Sequence, residues 1–179
     1  MNLFKKIALS ILVGASLHSC SCSDQQEQVS EEEAVFVGTW EIEREDIEIL
    51  RYGICSQKES LTLNEDRSFL QSFTYFDINS QYDTIAIVSV KGTWELADNC
   101  LEMSYDTTSV VAKCEDSDII DRFTDYIMGN IKRNNYELKK AHEEGSQYGI
   151  QNAAVKGDKL ISKENIEDED GEIIYTKAK

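Results

Sequence analysis

Proline is missing altogether from the 179 residues, and histidine occurs only twice. With no proline to break them, the short alternating runs described below read as strands. His18 lies in an apolar leader that is expected to be removed, which leaves His142 alone. A lone histidine offers neither a His pair for a zinc site nor a His-assisted nucleophile. No G-x-S-x-G, P-loop or Gly-rich dinucleotide turn occurs. Positive charge is scarce: 18 Lys and Arg stand against 34 Asp and Glu, a formal net charge of -16. Without a basic stripe, nucleic acid and anionic headgroups are not expected as partners. The acidic run EDEDGE at residues 167–172 lacks the rest of an EF-hand loop and reads as a solvated hairpin tip. These absences predict a protein that is not an enzyme, with no catalytic residues, no metal site and no cofactor.

What is present starts with Lys5 and Lys6, an apolar run over residues 7–17, and LHSC ending at Cys20. The run is far below the ~20 residues needed to cross a bilayer, so it reads as a secretory signal. Leu17, Ser19 and Cys20 resemble the lipobox of bacterial lipoproteins. The resemblance implies that residues 1–19 are a signal peptide and that Cys20 is acylated and becomes the N-terminus. At ~0.8 kcal/mol per buried methylene, two or three acyl chains hold a domain at a membrane durably. Residues 21–33 carry five acidic and no basic side chains, and no aromatic. They bury too little to offset their ordering entropy, so residues 20–34 are expected to be the lipidated cysteine and a disordered acidic tether. An acidic run in this place also resembles the export signal of surface lipoproteins in the Bacteroidetes. The implied address is the outer membrane, lipid-anchored, facing the periplasm or the surface.

Residues 35–179 have the length of one domain. In TIAIVSVKGTWEL, Ala86, Val88, Val90, Gly92, Trp94 and Leu96 form one apolar face, and Ser89, Lys91, Thr93 and Glu95 form the other. Period two marks a strand half in a core and half in water. FVGTWEIE shares that register, with Phe36, Gly38, Trp40 and Ile42 on one face. Turn chemistry at residues 64–67, at Asp98 and Asn99, at residues 106–108, at 156–158 and at Gly171 separates further strands. The count is eight to ten short strands joined mostly by hairpins, the pattern of an antiparallel barrel or sandwich.

One segment changes period. From 116 to 144, Ile119, Ile120, Phe123, Tyr126, Ile127 and Ile131 recur at helical spacing. Asp116, Ser117 and Asp118 offer N-caps and Gly145 a C-cap. Gly129 or the pair Asn134 and Asn135 are candidate break points. Two roles fit the helix, a lid over a barrel mouth or a permanent part of the core.

The Gly38-Thr39-Trp40 sequence on the first strand resembles the leading motif of lipocalins. With its second copy, Gly92-Thr93-Trp94, and the stretches LTLNEDRSF and KGTWELADNCLEMSY, the chain is similar to the lipocalin-like domains of Bacteroidetes lipoproteins. That resemblance implies an all-β fold, a lipocalin-like antiparallel β-barrel of about 8–10 strands with one inserted amphipathic helix near 116–144. Thr124-Asp125-Tyr126 matches a late lipocalin motif but falls within the helical pattern, and no arginine follows Arg133. The repeated GTWE reads as an architectural joint, the glycine letting the strand coil and the indole filling the barrel end.

With Cys20 acylated, Cys22, Cys55, Cys100 and Cys114 remain in an oxidising compartment, where disulfide pairing is open to them. A hairpin centred on Thr107 sets Cys100 opposite Cys114, whereas matching the apolar faces shifts the register by one and separates the sulfurs. Cys55 with either partner is the rival pairing.

The sequence therefore predicts a lipid-anchored module whose cavity, walled by some of Trp40, Phe69, Phe73, Val88, Trp94, Met103 and Tyr105, takes a small apolar or amphipathic ligand. The alternative is a non-enzymatic envelope interaction or structural protein, with those side chains filling a solid barrel and its acidic surface or helix meeting another envelope protein.

Overall fold

The computed structural model describes residues 29–49, 52–78, 83–166 and 169–179, without the side chains of 163–166 and 169–171. The signal peptide, the lipidation site Cys20, Cys22 and most of the acidic tether lie outside the described residues.

Eight strands form one antiparallel sheet, with two helices added. The chain runs α1 (Glu31–Ala34), β1 (Gly38–Ile49), β2 (Gly53–Leu63), β3 (Ser68–Asp77), β4 (Thr84–Ala97), β5 (Cys100–Cys114), α2 (Ser117–Glu144), β6 (Ala154–Lys156), β7 (Lys159–Ile166) and β8 (Glu169–Lys177). Spatial order is β5-β4-β3-β2-β1-β8-β7-β6. Two meanders thus meet at the pairing of β1 with β8, where Trp40 faces Lys177 and Glu41 faces Thr176. On the far side of the sheet, Leu101 of β5 and Ile150, in the segment between α2 and β6, exchange two backbone hydrogen bonds of 3.0 Å.

Local chemistry sets most of these boundaries. Asp98 and Asn99 both take positive φ in a two-residue turn, which lets Ala97 pair with Cys100. Asn64 and Ser68 close the β2–β3 hairpin and set Leu63 opposite Phe69. Asp116 caps α2 by accepting from the Asp118 N–H, and Gly145 ends it in the left-handed conformation.

Four expectations are corrected. The reversal at residues 106–108 is a bulge inside one continuous β5. There Asp106 accepts from the Thr108 backbone and hydroxyl, and residues 107–110 stand against Val90 alone. Ile166 pairs with Glu169, so Gly171 lies within β8 opposite Glu164 rather than at a turn; residues 167–168 lie outside the described residues. Residues 31–34, assigned to the tether, form a helical turn closed by a capping box between Ser30 and Glu33. Cys55, Cys100 and Cys114 all carry free thiols; Cys100 and Cys114 sit at opposite ends of one strand, so neither hairpin register applies to them.

Two apolar clusters fill the inner face. One joins Trp40, Leu61, Leu63, Phe69, Trp94, Leu101, Met103 and Leu160. The other joins Ile49, Cys55, Tyr75, Ala86, Val88 and Val90 to Phe123, Ile127 and Ile131 of α2. Those three helix side chains are at most 3% exposed, so the first half of α2 packs as core. Each contributes ~1.5–3 kcal/mol by leaving water.

Candidate functional site

Alternation along β2 places Cys55, Gln57, Glu59, Leu61 and Leu63 on the buried face, and two of those five are polar. Gln71 of β3 is likewise buried between Phe69 and Phe73. These polar side chains find one another where the two apolar clusters meet. Gln71 Nε2 donates to Glu59 Oε1 at 2.6 Å, the Tyr175 hydroxyl donates to the same oxygen at 2.9 Å, and the Tyr105 hydroxyl donates to Gln71 Oε1 at 2.8 Å. Arg44 Nε lies 3.8 Å from Glu59 Oε2. Burial, reinforced by the Glu59 charge, pushes the Tyr105 and Tyr175 hydroxyls above the usual tyrosine range, so both remain donors.

This network borders a cleft of about 360 Å³ between the sheet and α2. Arg44, Gln57, Glu59 and Tyr105 supply its polar wall; Phe73, Tyr126, Ile127 and Ile131 supply an apolar one. Nearby, the Tyr75 hydroxyl is buried with no hydrogen-bond partner among the described residues.

Helix α2 is held over the cleft by contacts to the edge of β5. Asn135 accepts from the Tyr105 N–H at 2.9 Å and donates to the Tyr105 carbonyl at 2.7 Å, and Asn134 donates to the Met103 carbonyl at 2.7 Å. The asparagines expected as a break point instead stand in for a neighbouring strand, and the helix runs unbroken for 28 residues. Its last turn reaches the outward side of the β4–β5 hairpin. There a groove of about 750 Å³ is lined by Thr93, Glu95, Glu102, Ser104 and His142, among others. His142 Nε2 lies 2.6 Å from Glu102 Oε2.

Of the seven predicted wall residues, Trp40, Phe69, Trp94 and Met103 belong to the first apolar cluster and Val88 to the second, all at most 7% exposed. Phe73 and Tyr105 are partly buried and line the inner cleft. Trp94 also reaches the outer groove. Arg44, Glu59, Gln71 and Tyr175 were not foreseen as site residues. The available signal was a charged or amide side chain in an inward strand register.

The two tryptophans are anchored alike: Trp40 Nε1 donates to the Phe36 carbonyl at 2.7 Å and Trp94 Nε1 to the Asn64 carbonyl at 3.1 Å. No family model matches the chain and no curated protein matches it, so the case for a function rests on this geometry.

Proposed function

We propose that the chain is a lipid-anchored, non-enzymatic binding module of lipocalin-like barrel architecture, tethered to the outer membrane through Cys20, and that a small amphipathic molecule occupies the cleft beneath α2. The meeting of first and last meanders at β1, with the Leu101 to Ile150 bridge on the far side, supports the barrel reading.

Glu59 carries the proposal. It is 4% exposed, on a strand whose inward neighbours on either side are Gln57 and Leu61. A buried carboxylate costs several kcal/mol unless it is paired, and an apolar residue in its place would fill the core at no such cost. Its presence beside a cleft of ligand size, which Arg44 also lines, with apolar side chains opposite, fits a molecule with one polar end. The dense packing of Trp40, Phe69, Val88 and Trp94 favours the second reading, a filled interior and an envelope protein partner.

Native mass spectrometry of the full chain, extracted from membranes in detergent, separates the two. Together with saturable uptake of an anilinonaphthalene sulfonate dye, a co-purifying small molecule lost in Glu59→Gln and Phe73→Ala establishes the binder. A bare mass, with dye uptake unchanged in both variants, sinks it and leaves the protein partner.

A further inference from the structure

Glu95 and Glu102 face each other directly across the β4–β5 hairpin. Like charges in that relation repel, and nothing in strand pairing requires them there. The last turn of α2 then adds His142, and one ligand-capable atom from each of the three lies within 4.8 Å of the other two. Glu102 is 2% exposed, and its second oxygen accepts from the Tyr148 N–H at 3.3 Å, which fixes the carboxyl group in place. Glu95 and His142 are exposed and free to adjust. The two cations lining the same groove are engaged with other carboxylates, Lys139 with Glu143 at 3.8 Å and Arg67 with Glu33 at 3.0 Å.

We propose that Glu95, Glu102 and His142 form a binding site for a divalent transition-metal cation of the zinc class, separate from the inner cleft. Two carboxylate oxygens and an imidazole nitrogen suit such an ion, which places its ligands ~2.0–2.2 Å away and about 3.4 Å from one another. The present spacing reaches that arrangement by rotation of the two exposed side chains. A cation there removes the Glu95 to Glu102 repulsion, takes over the contact that His142 makes with Glu102, and leaves a coordination position open to the groove for water. The Tyr148 N–H orients the buried ligand from behind, as outer-shell donors do. A search for paired histidines misses the site, because its other two ligands come from a hairpin some forty residues away.

The test is calorimetric titration of Zn²⁺ into the full chain, with thiols kept reduced, beside Glu95→Gln and His142→Ala. Mg²⁺ serves as the control for general attraction to an acidic protein. The expected result is one equivalent of Zn²⁺ bound far more tightly than Mg²⁺, with affinity reduced about tenfold or more in each variant. Zn²⁺ should also raise the melting temperature of the wild type more than that of either variant. In the absence of metal, Glu95→Gln should melt no lower than the wild type, since it relieves a repulsion, so lost binding will not reflect lost folding. Zn²⁺ uptake that is unchanged in both variants, as cysteine ligation would give, or affinity no better than for Mg²⁺, overturns the site.

Discussion

Phe69 stands opposite Gly92 on neighbouring strands, and its ring fills the space where a side chain at Gly92 would begin: a Cβ there would lie 2.6 Å from Phe69 Cε1 and collide with the Ser104 carbonyl. Gly92→Ala should therefore destabilise the protein by ~1–3 kcal/mol, because a backbone carbonyl cannot step aside. Gly129, on the exposed side of α2, has no atom within 4 Å of the equivalent position. Gly129→Ala should stabilise by about 1 kcal/mol through helix propensity alone. Urea unfolding of the two variants checks both signs.

Asn135→Ala removes a donor and an acceptor from the Tyr105 backbone at once. A loss of ~1–3 kcal/mol is expected, with faster hydrogen exchange at the Tyr105 amide. If that amide keeps its protection, the helix is not what covers this edge.

Much of the architecture was legible in the sequence because burial in strands has a period of two. The inward series Ala86, Val88, Val90 and Trp94 appears in the structure as read, as do the Asp98–Asn99 turn and the caps of α2 at Asp116 and Gly145. What sequence could not resolve was pairing across distance. Asp106 and Thr108 carry turn chemistry, but whether a turn reverses the chain or bulges within a strand depends on the neighbouring strand. The two GTWE glycines also differ in a way no motif reveals. Gly38 needs its φ of +138°, whereas Gly92 makes room for a ring. The Ser30 and Glu33 capping box was readable and was outweighed by the composition around it. Glu59 and Gln71 were visible as polar residues in apolar registers, but Tyr175, which donates to Glu59, lies 116 residues away along the chain.

Trp94 tests how the interior is used. If its indole is structural packing, Trp94→Ala costs ~3–5 kcal/mol in thermal or urea unfolding. A smaller loss would instead assign the indole to the wall of the outer groove, which it reaches.

The thiols should react in a definite order. Burial raises the pKa of Cys55 to about 11, and burial with the Glu102 charge does the same at Cys100. Cys114 is only partly buried. Alkylation of the native chain at neutral pH, mapped by peptide mass, should label Cys114 ahead of Cys55 and Cys100, and all three in denaturant. Any disulfide-linked peptide joining two of them would contradict the fold.

Glu33 should make part of the stability sensitive to acid. Burial acts to raise its pKa, but hydrogen bonds from Ser30 and the Arg67 guanidinium outweigh this and lower it below the usual 4.5. A lowered folded pKa gives stability that is complete above 4.5 and fades as pH falls through the folded value. Glu33→Gln should thus cost ~1–3 kcal/mol at neutral pH, and the gap to the wild type should close in melts taken well below pH 4.5.

The junction of β1 and β8 bears on how the molecule is made. Trp40 and Lys177 are joined twice, by their strand pairing and by the Lys177 ammonium lying 5.3 Å from the indole centre, yet nearly the whole domain separates them along the chain. Contacts of such long range form late, because the loop they close must first lose its freedom. A chain emerging from a ribosome or translocon can build the β1–β5 meander as it appears, but the flank of β1 stays open until the last ten or so residues arrive. During that interval the exposed edge of β1 is where a chaperone would have to act, and where a truncated product would pair with the wrong chain.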